Sequence, residues 1–234
     1  MAHHIFFEGG LGSGKTFFMT ALANLWRDQT NRMGGNVQLF SNYGARGSHP
    51  MDDFEAWYEV ANAWESIVMW DEAQMAFNNR NWSSTAAQIA TEVMFYTRKM
   101  QSIQMYASPS IANVDSRIRQ IVEVLFHCRK VGNKGFEALI FDYQTKRFLR
   151  RVFMPMSTAK RLFKLNLYDT YSMVRGFPLP QNKKEIEEFW DTVFDIHQMK
   201  HRRGNVDANK LDPIVNRFTD NADQLTNNDE VLVI

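Results

Sequence analysis

Short apolar runs alternate with stretches of helical periodicity over the first two-thirds of the chain. The apolar runs predict β-strands at Ile5–Glu8, Val37–Ser41, Ile67–Trp70, Ile103–Ala107 and Val122–His127. The periodic stretches predict helices at Gly14–Asp28, Asp52–Ala63 and Thr85–Met100. Because strands that alternate with helices usually join a parallel sheet, this pattern predicts an α/β fold with a mostly parallel central sheet flanked by helices.

The pattern changes in the last third of the chain. A hairpin is predicted from a strand at Phe136–Tyr143, a turn at Gln144–Lys146 and a strand at Arg147–Phe153. Two helices are predicted after it, at Ser157–Leu165 and Lys183–Lys200. From Arg202 onward the chain is rich in Asn and Asp and poor in aromatic residues, which is typical of a flexible tail. We therefore expect a core at residues 1–155, a helical extension packing on it at 156–203 and a flexible tail at 204–234.

Composition places few limits on function. Since 27 basic residues stand against 26 acidic ones, the net charge is +1 and any basic surface has to be local. The single cysteine, Cys128, cannot form an internal disulfide, which fits a reducing cytosol, and we expect it to be a small buried residue in a strand. No apolar run approaches the ~18 residues of a membrane span, so we expect a cytoplasmic chain without an integral membrane segment.

A glycine-rich segment follows the first predicted strand. Its spacing, Gly9-x4-Gly14-Lys15-Thr16, fits a phosphate-binding loop at the N-terminus of a helix. In such a loop the Lys15 ammonium reaches the β and γ phosphates, and the Thr16 hydroxyl ligates Mg²⁺. The residues predicted to contact the nucleotide are Gly9, Gly10, Leu11, Gly12, Ser13, Gly14, Lys15, Thr16, Phe17 and Asp71.

Two adjacent acids follow the predicted strand at Ile67–Trp70. Asp71 is predicted to hold the Mg²⁺ together with Thr16, and Glu72 to polarise the attacking water. A Glu directly after the Asp favours translocases and helicase-like ATPases over nucleotide kinases and GTPases. A GTPase would need an Asn-Lys-x-Asp motif, and the nearest candidate, Asn133-Lys134-Gly135-Phe136, ends in Phe. A small-molecule kinase stays open, because Arg98-Lys99 and Arg117-x-Arg119 could imitate its lid.

Five segments together resemble the FtsK/HerA class of DNA-pumping ATPases. They are Trp70-Asp71-Glu72-Ala73-Gln74, Asn79-Arg80-Asn81-Trp82, Thr97-Arg98-Lys99, Asn113-Val114-Asp115-Ser116-Arg117-Ile118-Arg119 and His127-Cys128-Arg129-Lys130. Within that class the chain is most similar to the zonular occludens toxin-like phage ATPases and the genome-packaging ATPases of membrane-containing viruses, over about residues 4–153. The resemblance implies a RecA-like P-loop NTPase fold, bound ATP and Mg²⁺, and a homo-oligomeric ring, expected to be a hexamer. It also implies an arginine that reaches the neighbouring subunit's nucleotide, for which Arg98 and Arg119 are the candidates.

The chain departs from this family at two points. Where the family has a Gln that senses the γ-phosphate, this sequence reads Tyr106-Ala107-Ser108-Pro109-Ser110, so Ser108 or Ser110 would have to substitute. The toxin-like phage ATPases usually continue into a membrane span, and none is predicted here.

The second departure favours a genome-packaging ATPase that pumps DNA, in the host cytoplasm or at a packaging vertex of the virion, with a capsid or membrane-vertex protein as partner. A phage assembly and extrusion ATPase with a separate membrane partner is the close alternative. Two further alternatives are a small-molecule kinase and a nucleotide-gated scaffold with little turnover.

A basic stretch follows the predicted turn of the hairpin. Between Lys146 and Lys164 it holds seven cations and no acid. The cations predicted to contact DNA are Arg147, Arg150, Arg151, Lys160, Arg161 and Lys164, with Lys146 beside them, and Arg202 and Arg203 could add to them. We expect Phe148, Phe153 and Phe163 to be buried while the cations line one surface that binds DNA without reading its sequence. An ordinary solvated face is the alternative.

Overall fold

The computed structural model describes residues 3–77, 92–169, 174 and 183–201. The strands of these residues are β1 (His4–Glu8), β2 (Val37–Ser41), β3 (His49–Pro50), β4 (Glu65–Trp70), β5 (Ser102–Ser108), β6 (Val124–Val131), β7 (Gly135–Asp142) and β8 (Phe148–Pro155). They form one sheet in the order β3-β2-β4-β5-β1-β6-β7-β8. The pairs from β3 to β6 are parallel, and β7 and β8 add an antiparallel hairpin. The predicted α/β fold with a mostly parallel sheet is confirmed.

The helices surround this sheet. They are α1 (Lys15–Arg32), α2 (Ala56–Asn62), α3 (Ala73–Ala76), α4 (residues 92–96), α5 (Ser116–Ile121), α6 (Met156–Phe163) and α7 (Lys183–His201), with a 3₁₀ turn at Ile111–Asn113. The part of the predicted Thr85–Met100 helix before residue 92 lies outside the described residues, and residues 97–100 form a turn instead. That turn is stabilised by the Thr97 hydroxyl, which donates to the Met94 carbonyl at 2.6 Å. The sequence pattern missed β3, α3 and α5 because each is too short to show a period.

Both faces of the parallel half are buried. On one face Phe6, Trp70 and Tyr106 pack beneath α2 and α7, and the ring centroids of Trp57 and Trp70 are 5.9 Å apart. On the other face Phe7 and Met69 pack with side chains of α1 and α6. Because side chains alternate across a strand, burial on both sides explains why these strands are continuous apolar runs. The sheet's parallel half therefore gives fixed positions to the loops that leave its carboxyl ends.

The antiparallel half is covered differently. Helix α6 packs on the face that carries Phe136, Val152 and Met154. The prediction that the phenylalanines of the basic stretch are buried is wrong, since Phe148 is 53% exposed, Phe153 43% and Phe163 41%. Phe153 pairs with Glu137 and Phe148 with Phe141, so both point to the sheet face opposite α6. Because side chains alternate between the two faces of a strand, the residues that α6 covers leave Phe148 and Phe153 on the opposite, solvent-exposed face.

The last described helix packs against the core. Phe189 on α7 is fully buried, and its ring lies 5.6 Å from that of Tyr58 and 6.1 Å from that of Phe54. Near the helix end the Lys200 ammonium donates to the Met100 carbonyl at 3.2 Å and also to the Ala63 carbonyl. Burial lowers the pKa of Lys200 to about 8. The predicted tail at 204–234 lies outside the described residues.

Candidate nucleotide-binding site

The glycine-rich loop connects β1 to α1. Gly9 has φ 147°, and a Cβ built there would lie 2.2 Å from the Cys128 carbonyl oxygen on β6. Gly14 has φ 90°, and its Cβ would lie 2.9 Å from the ring of Phe136. Only glycine fits these two positions, because any side chain would meet neighbouring strands. The loop is thus folded tightly against β6 and β7, while Leu11 at its tip is fully exposed.

Lys15 begins α1 and lies almost entirely inside the loop. Its side chain is 9% exposed, and the ammonium donates to the Gly10 carbonyl at 3.1 Å. The first backbone N–H groups of α1 have no partner within the helix, which is the usual property of a helix start. A curled loop, a buried ammonium and a helix N-terminus together form a site for a polyphosphate.

Thr16 and Asp71 meet although they are far apart in sequence. The Thr16 hydroxyl donates to Asp71 Oδ1 at 2.9 Å. Burial raises the pKa of the Asp71 carboxyl, and the Thr16 hydrogen bond opposes that rise. A hydroxyl beside a partly buried carboxylate is a pair of hard oxygen donors, the type of ligand that Mg²⁺ prefers. A bound cation would also offset the cost of keeping this carboxylate charged. The residues present therefore fit the predicted metal.

Glu72 has an unusual backbone conformation. Its φ of 46° and ψ of 48° are left-handed, and it caps the short helix α3. This conformation costs a residue other than glycine roughly 1–2 kcal/mol, and such strain concentrates at functional sites. The Gln74 side-chain amide donates to the Glu72 carboxylate. Glu72 thus lies next to the predicted metal ligand Asp71, with its carboxylate held by a neighbour two residues away.

Two residues that the sequence did not single out lie beside the site, Asn42 at Asp71 and Tyr43 near Thr16. Asn42, just after β2, bonds through its side chain to both backbone groups of Asp71. The Tyr43 hydroxyl lies 2.8 Å from the Thr20 hydroxyl, and Thr20 in turn donates to the Thr16 carbonyl at 2.7 Å. Their one sequence signal is position, because polar residues at the carboxyl end of a parallel strand often line a site.

The strand that separates the two motifs is β5. It lies between β1 and β4, so its end reaches the sheet edge between the phosphate loop and Asp71. Ser108 at that end is fully buried, pairs in register with Glu8 and donates to the Ser110 carbonyl at 3.2 Å. The Ser110 hydroxyl accepts from the Ala112 N–H and caps the 3₁₀ turn. Both hydroxyls are thus engaged within the chain, and the replacement of the missing glutamine by Ser108 or Ser110 stays a prediction.

In the described part of the chain, neither candidate arginine is hydrogen-bonded to the nucleotide site. Arg98 is exposed in the turn after α4, and Arg119 is half-buried on α5. The Arg119 Nε is buried and makes no hydrogen bond to any described residue. Among the described residues no hydrogen bond joins either side chain to Lys15, Thr16 or Asp71. Both positions are compatible with a role in a neighbouring subunit, which stays a prediction.

The predicted DNA contacts divide into two sets. Arg150 and Arg151 are consecutive on β8, so they point to opposite faces of the sheet. Arg129 and Arg151 both bind the fully buried Glu137 carboxylate. The hydrogen bond from Arg129 is the main cause that holds the pKa of Glu137 below its ordinary value, and the bond from Arg151 adds to it. The expectation that all the cations line one surface is therefore wrong. The other exposed cations of the hairpin turn, β8, α6 and its C-cap are not paired with Glu137, and we call them the cationic edge: Lys146, Arg147, Arg150, Lys160, Arg161 and Lys164.

Comparisons with known proteins agree with the resemblance to zonular occludens toxin-like proteins. The family described as "Zonular occludens toxin (Zot)" matches residues 19–172. The crystal structure of the N-terminal domain of zonular occludens toxin from Neisseria meningitidis matches 72% of this chain and 100% of its own, with 16% identity and a TM-score of 0.51. The genome-packaging NTPase B204 of Sulfolobus turreted icosahedral virus 2, in complex with ATP-gammaS, matches 66% of this chain and 98% of its own, with 10% identity and a TM-score of 0.47. No curated protein matches.

Two further observations bear on the sequence predictions. None of the described helices combines the length and apolarity that crossing a bilayer requires. Cys128 is buried in β6 as predicted, and burial raises the pKa of its thiol to about 12.

The family match extends over most of the sheet, including β2, β4 and the acid pair, and the fold is that of the meningococcal domain. The chain belongs to the zonular occludens toxin (Zot) family.

Proposed function

We propose that this protein is a Mg²⁺-dependent ATPase that moves DNA during phage morphogenesis. The observation that carries the proposal is the 2.9 Å contact between Thr16 and Asp71, which joins the phosphate loop to the acid pair. Lys15 lies at the same place. Its ammonium now donates to the Gly10 carbonyl, and a bound phosphate would accept that hydrogen bond instead. A glycine-rich loop alone would support nucleotide binding only, whereas the two motifs together support hydrolysis.

Each residue has a separate task in this proposal. The loop amides and Lys15 bind the phosphates, and Thr16 and Asp71 hold Mg²⁺, which neutralises charge on the phosphate oxygens when bound. Glu72 orients the attacking water and takes up its proton. The Gln74 amide donates to one oxygen of the Glu72 carboxylate, which leaves the other oxygen able to accept from the water.

The ring expected from the family supplies the remaining charge. A homo-oligomeric ring, expected to be a hexamer, places Arg98 or Arg119 of one subunit against the nucleotide of the next. An arginine of this kind is worth roughly 10³–10⁵ in rate in related phosphoryl transfers. Arg98→Ala and Arg119→Ala subunits, each mixed with Glu72→Gln subunits, test this assignment. An arginine that acts in trans is missing from its own variant subunits but intact in the Glu72→Gln subunits. Hydrolysis should therefore return only in mixed rings, where the intact arginine of one subunit meets the intact Glu72 of the next.

The cationic edge is the proposed DNA surface. Its cations are exposed on the hairpin turn, β8, α6 and its C-cap, and phosphate contacts need no base recognition. Lys146 is also stacked on the ring of Tyr143, 3.3 Å from its centroid. We expect binding to depend strongly on salt and weakly on sequence.

The family match favours one of the two phage roles. Since the chain belongs to the zonular occludens toxin family, assembly and extrusion with a membrane partner is the role that the match supports best. Genome packaging at a capsid or membrane vertex remains the alternative. Fractionation of infected cells separates the two, because an extrusion ATPase sediments with membranes through its partner and a packaging ATPase sediments with capsids.

The first experiment is ATP hydrolysis by the purified protein with and without DNA, beside Glu72→Gln. We expect DNA to raise the rate severalfold, and the variant to bind ATP without turning it over. Glu188→Gln is the matched control, since it makes the same change on the exposed face of α7. Phosphorylation of a small acceptor at a rate that ignores DNA would show a kinase instead. ATP binding without hydrolysis in the unaltered protein would show a nucleotide-gated scaffold.

A further inference from the structure

The side-chain amide of Asn42 binds both backbone groups of Asp71. Its Oδ1 accepts from the Asp71 N–H at 2.8 Å, and its Nδ2 donates to the Asp71 carbonyl at 3.1 Å. The Asn42 backbone N–H donates to the Met69 carbonyl at 3.2 Å, and the residue is 4% exposed. The asparagine is therefore buried and bound to the β4 end on three sides.

The side chain of Asn42 replaces the backbone hydrogen bonds that a neighbouring strand would make to Asp71. The ladder between β2 and β4 ends where Ser41 pairs with Met69. Two residues later the Asp71 backbone has left that ladder, and a buried backbone group without a partner is costly. An asparagine side chain carries the same donor and acceptor as a peptide group. Asn42 therefore takes the place of a strand neighbour at the point where the chain turns away from the sheet.

The turn that follows places both acids. The Asp71 carboxylate faces Thr16 at 2.9 Å, and Glu72 directly after it is left-handed. Rotation of the Asp71 peptide would move the carboxylate of Asp71 away from Thr16. The two backbone bonds from Asn42 oppose that rotation.

We infer that Asn42 is a positioning residue for Asp71, setting the backbone angle at which its carboxylate can share a Mg²⁺ with Thr16. The inference rests on the proposed function and deepens it. Mg²⁺ demands near-ideal octahedral geometry, so a small displacement of one carboxylate weakens binding. Groups that orient a metal ligand without touching the metal are worth about 10–100-fold in metal affinity.

The test is Asn42→Ala, with nucleotide binding followed by a fluorescent ATP analogue in EDTA and across a Mg²⁺ titration. The phosphate loop is intact in this variant, so binding in EDTA should match that of the unaltered protein. The Mg²⁺ concentration at half-effect should rise about tenfold or more. Asn24→Ala is the matched control, because Asn24 is equally buried but its side-chain amide donates to the Thr20 carbonyl of its own helix, at 2.9 Å. It should leave the Mg²⁺ midpoint unchanged.

A second variant keeps the test decisive if Asn42→Ala does not fold. Asn42→Leu has a similar branched shape, removes both bonds to the Asp71 backbone and adds no charge, and it should shift the Mg²⁺ midpoint in the same direction. A folded variant with an unaltered midpoint overturns the inference. Equal losses of affinity in EDTA and in Mg²⁺ overturn it too, because Asn42 would then support the whole site. If the unaltered protein binds nucleotide without any Mg²⁺ effect, the proposed ATPase itself fails, which is a separate result.

Discussion

The two halves of the sheet expose their side chains very differently. In the parallel half Phe6, Trp70 and Tyr106 are fully buried, and polar residues near the site such as Asn42 and Ser108 are also inaccessible. In the antiparallel half β8 is an edge strand whose cations and phenylalanines face solvent. This contrast separates two physical demands on the molecule. Phosphate transfer requires groups held in fixed positions, whereas binding of a polyanion requires access and charge.

The largest expected effect is on the phosphate loop in the buried half. Gly9→Ala places a methyl 2.2 Å from the Cys128 carbonyl, and neither backbone can move without disturbing the sheet. We expect nucleotide affinity to fall by more than about a hundredfold, or about 3 kcal/mol, measured by ATP-analogue titration. Gly10→Ala adds the same methyl in open space and should weaken binding much less. Similar effects for both variants would mean that loop flexibility, and not the close approach to β6, is what glycine provides.

The sequence predicted the parts of this site that depend on local spacing. Gly9 to Thr16 lie within one short segment, and Asp71 follows an apolar strand, so both could be predicted without a fold. The pairing of Thr16 with Asp71 required the assumption that both strands end at one edge of the sheet. Asn42 could not be predicted, because its role exists only once β2 lies beside β4. The burial of Phe148 and Phe153 was predicted wrongly for a similar reason, since it depends on which face α6 covers.

The next effect concerns the exposed half. Replacing Lys160 and Arg161 on α6 and Lys164 at its C-cap with Ala removes three exposed cations and leaves the buried face of the helix intact. DNA affinity should fall at every sequence tested, and the salt slope of binding should decrease by about one for each phosphate that is no longer neutralised. Fluorescence anisotropy over a salt series measures both. An unchanged slope would mean that α6 does not touch DNA, and the cationic edge would be an ordinary solvated face.

Adjacent arginines on β8 provide an internal control for that measurement. Arg150→Ala should lower the salt slope by about one, as expected for an exposed cation at a phosphate. Arg151→Ala should leave the slope unchanged, because its guanidinium is occupied by the buried Glu137 carboxylate. Its effect should appear in thermal unfolding instead, since Glu137 would keep only Arg129 of these two partners. A salt-slope change for Arg151→Ala as large as that for Arg150→Ala would contradict this division.

A smaller effect is expected where the two halves meet. The Arg46 N–H donates to the Leu167 carbonyl at 2.7 Å, and its guanidinium donates to the Leu165 carbonyl at 3.2 Å. These bonds join the segment after α6 to the loop that begins with Asn42. Arg46→Ala should leave basal hydrolysis unaltered and reduce the stimulation by DNA about threefold, a typical size for coupling between sites. Lys184→Ala removes an exposed cation on α7 and should keep full stimulation.

The smallest effect is a pH dependence at the end of α7. Burial lowers the pKa of Lys200 from its ordinary 10.5 to about 8, so between these values the unfolded chain binds more protons than the folded one. The free energy of unfolding should therefore rise with pH from about 8 to about 10.5. Because Lys200 is partly exposed, solvent screening keeps this increment small. Denaturant unfolding of the unaltered protein and Lys200→Met at pH 7.5 and near pH 10, about the two limits of this range, measures it. The difference in stability between the two proteins should shift toward the unaltered protein at the higher pH, since Met does not titrate. A difference that is constant with pH would show that the ammonium stays charged in the fold, bound to the Ala63 and Met100 carbonyls.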